Sequence, residues 1–372
     1  MRNRVTSIVG PDRPPQTWIA LVVLVGAFGC GGGNGAAAPT PAPTPSATPA
    51  ADVDGWSALA NSPAGEAQQR HDDVFFLDES RGWLVNIRGE VFRTTDGGMS
   101  WLRSNPLPTG VTPRCVGFGS ALQGWLGTID FRSTAGGLAL FETTDGGVSW
   151  SNVSSRISGA VVPGLCGMRV LGPSTVVAVG RWHGPAVFVK TTDGGVTWTS
   201  RNLDADASGL VDLFFFNERE GFAVGSLGDG RSEAVQRAAR TVILATADGG
   251  ETWENRYTSA AVGQRAWKIQ FVTTAVGYVT TEGATPEGVV LKTADGGRTW
   301  QKSLVGAGLS FEGVGFVSAD RGWVGSGESL YATSDGGTTW RRVGFGRSIN
   351  RMRVLSADLV LACGDRVYRW RP

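Results

Sequence analysis

The residues of this 372-residue chain with the widest chemical reach are two histidines, four cysteines and an aspartate that recurs in one short phrase. With only His71 and His183 available, zinc sites built on several histidines and hydrolase triads have little to draw on. No Gly-x-Ser-x-Gly elbow and no phosphate-binding loop is present. The acidic pairs Asp204/Asp206 and Glu218/Glu220 fall in loop-like stretches and are expected to face solvent rather than act as a general acid and base. No metal and no cofactor is expected.

The aspartate recurs six times, at Asp96, Asp145, Asp193, Asp248, Asp295 and Asp335. Each is followed by two glycines and, five residues on, by Trp101, Trp150, Trp198, Trp253, Trp300 or Trp340. Aspartate followed by two glycines is a tight-turn sequence: the carboxylate can accept backbone N–H bonds, and glycine takes positive φ without a Cβ clash. The tryptophan opens the next strand and is large enough to pack under the hairpin. An Asp-Gly-Gly cluster could also hold a metal or an anion, but a functional site is seldom repeated six times, so the turns read as structural.

The turns imply the elements that carry them. Successive aspartates are 49, 48, 55, 47 and 40 residues apart, and a short apolar strand such as Val91-Phe92-Arg93 precedes each turn. Upstream of each lies a second phrase, Phe75-Phe76…Gly82-Trp83-Leu84-Val85 being the first and Met168-Arg169-Val170…Val177-Ala178-Val179-Gly180 the weakest. It reads as two strands, A and B, joined by a short turn. A seventh version, Met352-Arg353-Val354…Leu361-Ala362-Cys363-Gly364, is followed by Val367-Tyr368-Arg369-Trp370 as strand C, where the sequence ends. Trp56-Ser57-Ala58-Leu59 then supplies the missing strand D. The expectation is an all-β fold: a seven-bladed β-propeller over 56–372 with four-stranded antiparallel blades of about 45 residues, its ring closed by the N-terminal strand.

Residues 1–29 read as a signal peptide: Arg2, Arg4 and Arg13 precede an apolar run from Trp18 to Gly29, too short to span a bilayer comfortably. The run ends in Ala27-Phe28-Gly29-Cys30, which resembles a bacterial lipobox and implies a lipidated Cys30. Residues 30–55 follow as a Gly-, Ala-, Pro- and Thr-rich tether. The expected location is the cell envelope, membrane-anchored through the lipid and facing the periplasm or the exterior. Cys115, Cys166 and Cys363 are an odd number on predicted A or B strands, where cysteine usually serves as a small buried hydrophobe; a Cys115–Cys166 bridge stays open.

The formal net charge is +1, yet Arg341, Arg342, Arg347, Arg351, Arg353, Arg366, Arg369 and Arg371 gather at the C-terminal end against Asp358 and Asp365. They are either a basic patch for an acidic partner or outward-facing residues that solvate a surface. No nucleic-acid partner is expected, and the protein is expected to be a monomer.

The Asp-Gly-Gly-x-Thr-Trp phrase resembles the Asp-box (BNR) repeat, which also occurs in sialidases, where the turn lies on the face away from the active site. A sialidase would imply an Arg-Ile-Pro-like segment before the first box; none of Arg70, Arg81, Arg88 and Arg93 is followed by Ile-Pro. Phe…Gly-Trp-x-Val-Gly followed by Val-Phe-x-Thr-Thr-Asp-Gly-Gly-x-Thr-Trp, over almost the whole of 56–372, resembles the photosystem II stability/assembly factor family of β-propellers. That resemblance implies a non-enzymatic lipoprotein scaffold that docks a membrane or envelope protein, in part through an arginine-rich surface. The alternative is a glycan-binding or sialidase-like glycoside hydrolase propeller. Propeller connectivity puts the A–B and C–D turns on one face and the B–C and D–A loops on the other. The B–C loops vary most, so a partner is expected on that second face, including residues 226–240 and 281–287.

Overall fold

The computed structural model describes residues 54–65, 70–132, 135–228, 237–283 and 287–372. The signal peptide, Cys30 and residues 31–53 of the tether lie outside the described residues, as do 229–236 and 284–286 of the two variable loops. The rest forms seven sheets, and the fold is the expected seven-bladed β-propeller with antiparallel four-stranded blades. The innermost A strands are His71–Phe76, Val111–Phe118, Gly167–Val170, Gly209–Phe215, Gln264–Phe271, Phe311–Phe316 and Arg351–Ser356, each adjacent to the next around the ring.

Ring closure follows the expected pairing. Trp56–Ala58 runs antiparallel to Val367–Trp370 with Trp56 opposite Trp370, and Leu59 N–H donates to the Val367 carbonyl at 2.9 Å. No turn joins strands C and D of blade seven. Its place is taken by indoles: Trp323 of blade six meets Trp56 edge-on at 5.5 Å and Trp370 at 4.7 Å. One strand was not foreseen. Ile157–Gly159 pairs parallel with Trp198–Asn202 and covers the outer edge of blade three, the kind of edge that otherwise invites aggregation.

The Phe…Gly phrase has a steric cause. In five blades the last phenylalanine of strand A pairs directly with the glycine opening strand B: Phe76/Gly82, Phe118/Gly124, Phe215/Gly221, Phe271/Gly277 and Phe316/Gly322. A Cβ at Gly221 would stand 2.5 Å from the Phe215 ring, and one at Gly322 2.3 Å from Phe316. Blades three and seven, whose phrases are weak, hold Val170/Val176 and Val354/Val360 at the same pair. Two medium side chains replace one large and none.

Hydrophobic packing is divided among seven clusters, each drawn from two neighbouring blades, as Trp83 with Phe118 or Phe222 with Phe271 illustrate. The blades are therefore held face to face around the ring, and the axis is left to polar residues. Cys115, Cys166 and Cys363 are buried free thiols, so the bridge left open between the first two is not formed. Burial pushes all three thiols above their ordinary range.

Candidate binding sites on the ring and in its channel

The six Asp-Gly-Gly turns share one hydrogen-bond pattern. In the first, Thr94 Oγ1 donates to Asp96 Oδ1 at 2.8 Å and accepts from Gly98 N–H at 2.9 Å. Ser100 donates its N–H to Oδ1 at 2.9 Å and its hydroxyl to Oδ2. Both glycines have positive φ, 71° and 84°, which a side chain would oppose. The threonine two residues before the aspartate thus belongs to the motif as firmly as the aspartate does.

These bonds hold all six carboxylates at about 2. The hydroxyl four residues on is the leading cause in five of them; at Asp145 burial acts against the same bonds. The folded values lie below the unfolded one near 3.8, so this stabilisation is complete above the unfolded value and is lost as pH falls through about 2. The expected result for Asp193→Asn is a lower Tm than wild type at about pH 6, with the gap closing as pH approaches 2. Thermal melts across that range check it; a gap that persists unchanged at pH 2 contradicts the assignment.

The turns also lock adjacent blades. Trp83 Nε1 donates to the Gly146 carbonyl at 2.9 Å, Gln123 to Gly194 at 2.9 Å, Lys190 to Gly249 at 3.1 Å and Lys292 to Gly336 at 2.7 Å, each from the preceding blade. The tryptophans after the turns lie buried or half-buried, Trp198 and Trp300 deepest, and Trp101, Trp150, Trp253 and Trp340 pack at the edges of the interblade clusters. No group of three or more potential metal ligands occurs among the described residues.

The C-terminal arginines do not form one surface. Arg351 and Arg353, expected in the basic patch, lie on the innermost strand of blade seven and line the channel, Arg351 only 3 % exposed. A patch needs a shared outward face, and the pleat of this innermost strand aims both side chains across or along the axis. Arg341 and Arg342 lie on the outer strand of blade six, Arg341 paired with Asp54 at 2.8 Å. Arg347 and Arg366 belong to the D–A and B–C connections of the opposite face, Arg369 to strand C, and Arg371 pairs with Glu79 at 3.1 Å. Of the acidic pairs, Asp204, Glu218 and Glu220 are exposed and Asp206 is half-buried.

The channel holds what the repeat pattern concealed. At equivalent places in the seven A strands stand Asp73, Cys115, Gly167, Asp212, Lys268, Gly313 and Arg351. Arg351 reaches across from blade seven and grips Asp212 of blade four with two bonds of 2.8 and 2.9 Å, while its Nε lies 3.1 Å from Asp73 of blade one. Each carboxylate also accepts the backbone N–H of the following blade's A strand, Val116 for Asp73 at 3.1 Å and Ile269 for Asp212 at 3.2 Å. Burial opposes ionisation of Asp212, yet Arg351 and Lys268 hold its carboxyl far below the usual range. The signal for this network was present: Asp212 within Leu210-Val211-Asp212-Leu213 and Lys268 within Ala266-Trp267-Lys268-Ile269 are charges inside otherwise apolar innermost strands.

The channel mouth on the B–C/D–A face is lined by ion pairs and aromatic rings. Arg114 pairs with Asp72 at 3.1 Å, Arg70 with Glu312 at 3.1 Å and Arg265 with Glu282 at 3.1 Å. Trp267 Nε1 donates to Asn350 at 2.6 Å, Trp182 stands 6.1 Å from Trp267, and Arg265 lies 5.3 Å over the Trp182 ring. Burial pushes the Glu312 carboxyl up to about 7 although Arg70 opposes it.

Neither a protein-family model nor a curated protein sequence matches the chain. Solved structures do. YCF48 bound to a D1 peptide is similar with a TM-score of 0.62 at 18 % identity, covering 87 % of this chain and 99 % of that one. YCF48 from Cyanidioschyzon merolae is similar with a TM-score of 0.62 at 21 % identity, covering 86 % of this chain and 99 % of that one. The extracellular domain of BT4673, a putative one-component system from B. thetaiotaomicron, has a TM-score of 0.61 at 10 % identity, over 84 % of this chain and 40 % of that one. At these identities the likeness is one of fold, and the chain is a β-propeller built as those propellers are.

Proposed function

We propose that this chain is a non-catalytic, lipid-anchored scaffold of the cell envelope that binds a membrane or envelope protein and assists its assembly or stability. The observation that carries the reading is the B–C/D–A mouth, where half-buried Trp182 packs against the buried Trp267 and the Glu282-paired Arg265 on a rigid ring. Aromatic and arginine side chains at a concave mouth are the usual anchors of a polypeptide interface. The fold likeness to YCF48, one of whose structures holds a D1 peptide, agrees with a peptide-binding role. Anchoring through Cys30 would keep the ring at the membrane where such a partner resides.

Affinity capture of the full lipidated chain from its own membranes, at low and high salt, tests the proposal. The expected result is one discrete membrane protein, lost at high salt and at least about tenfold depleted with Trp182→Ala. Deleting 229–234 is expected to weaken the same capture. Capture indifferent to salt, to the tryptophan and to the loop defeats the reading.

One observation favours the glycan alternative. A carboxyl near neutrality at Glu312, paired with Arg70 at the same mouth as the Trp182 and Trp267 rings, has the make-up of a general acid on a face that also carries a sugar-stacking platform. Glycan turnover or binding that disappears in Glu312→Gln would move the assignment there.

A further inference from the structure

The opposite end of the channel, on the face of the Asp-Gly-Gly turns, has a charge imbalance that no carboxylate among the described residues resolves. Two residues beyond the Asp73–Asp212–Arg351 level, the equivalent places are Phe75, Gly117, Arg169, Phe214, Gln270, Gly315 and Arg353. Arg353 donates to Asp73 at 2.9 and 3.1 Å and to the Val74 carbonyl at 2.8 Å. Gln270 is spent on the backbone of Phe316, donating at 3.0 Å and accepting at 2.7 Å.

Arg169 is different. Its Nε donates to the Leu213 carbonyl at 3.2 Å, and its guanidinium lies 5.4 Å over the Phe214 ring. No carboxylate among the described residues is within ion-pairing distance of it. Asp73 and Asp212 are the anions it senses, and both are already engaged, Asp73 by Arg351, Arg353 and a backbone N–H, Asp212 by Arg351 and a backbone N–H. Across these two levels Arg169, Lys268, Arg351 and Arg353 face Asp73 and Asp212, four cations against two carboxylates. Burial, with Arg353 next, pulls the Arg169 guanidinium down to about 10, the direction of a cation lacking its counter-ion. Beside these groups a cavity of about 190 Å³ opens toward the turn face, bounded by Arg169, Arg353, Arg351, Gln270, Phe214 and Phe271.

We propose that this cavity binds a small dianionic oxyanion of the phosphate or sulfate class, held between the guanidiniums of Arg169 and Arg353 with Arg351 behind. Guanidinium forks match the oxygens of a tetrahedral oxyanion, and two negative charges offset the two uncompensated cations. The volume exceeds that of the bare ion, so Phe214 and Phe271 leave room for a compact organic group on one oxygen. The site lies on the face opposite the rim assigned to the protein partner, and neither assignment depends on the other.

Calorimetric titration of inorganic phosphate, and separately of sulfate, into the full detergent-solubilised chain at about pH 8 tests this, with chloride holding the ionic strength constant. The expected result is saturable binding at one site per chain. Arg169→Met is expected to weaken it at least about tenfold, and Phe214→Trp, which fills the cavity and leaves the charges, to do the same. Arg342→Met, on the outer surface, is expected to leave it unchanged. If Arg169→Met does not fold, the Phe214→Trp comparison decides. Overturning results are the absence of saturable heat for both anions in the wild-type chain, or equal affinity in the folded cavity variants.

Discussion

Replacing Arg351 with methionine is expected to destabilise the propeller by about 3–5 kcal/mol, among the largest effects of any single substitution here. The cause is specific to what remains. Asp212 loses two bonds of 2.8 and 2.9 Å and Asp73 loses a cation at 3.1 Å, while both carboxylates stay almost fully enclosed. Lys268 and Arg169 are left as the cations near Asp212, and the charge of each is already disfavoured, by burial first. Three blades are involved, so the loss loosens the ring as a whole rather than one sheet.

The pH dependence has a definite sign. In the wild-type chain the Asp212 carboxyl is depressed, so its contribution is present above the unfolded value near 3.8 and fades on acidification. In Arg351→Met the Asp212 carboxyl keeps its burial without its main counter-ion, so it rises from that depressed position and protonation relieves it. Urea midpoints are therefore expected to differ most near neutrality and to converge as pH drops below about 4. A deficit that is the same at both ends of that range would mean that Arg351 acts by packing and not by charge.

Gly221→Val is expected to cost about 3 kcal/mol, because its Cβ alone would stand 2.5 Å from the Phe215 ring. The stronger expectation concerns the pair. Blades three and seven already hold valine opposite valine at this position, so Phe215→Val combined with Gly221→Val should recover much of the loss. A double-mutant cycle by chemical denaturation is expected to show a favourable coupling of at least about 1 kcal/mol. Additive losses would mean that the backbone, and not the ring, demands glycine at that site.

Much of this architecture is legible in the amino-acid sequence. The six turns, the Phe…Gly-Trp phrases and Trp56 place the blades and the closing strand, because each rests on local rules. Aspartate caps its own turn, glycine admits positive φ or a neighbouring ring, and alternation decides which face is buried. The extra strand Ile157–Gly159 could not be read, since its pairing is parallel and about 40 residues distant, with no turn to announce it.

The candidate sites divide in the same way. The chain order alone says that Arg351 and Arg353 fall within an arginine-rich stretch, and from that a surface patch is the natural reading. Only the closed ring shows that they sit on its inner wall, 139 residues from Asp212 along the chain yet within 2.8 Å of it. Local composition determines turns, strands and their count because those depend on neighbours within a few residues. Which charges meet across the axis, which carboxylates are already spent and that Arg169 is left over depend on the curvature that closes seven blades, and the tertiary structure alone decides that.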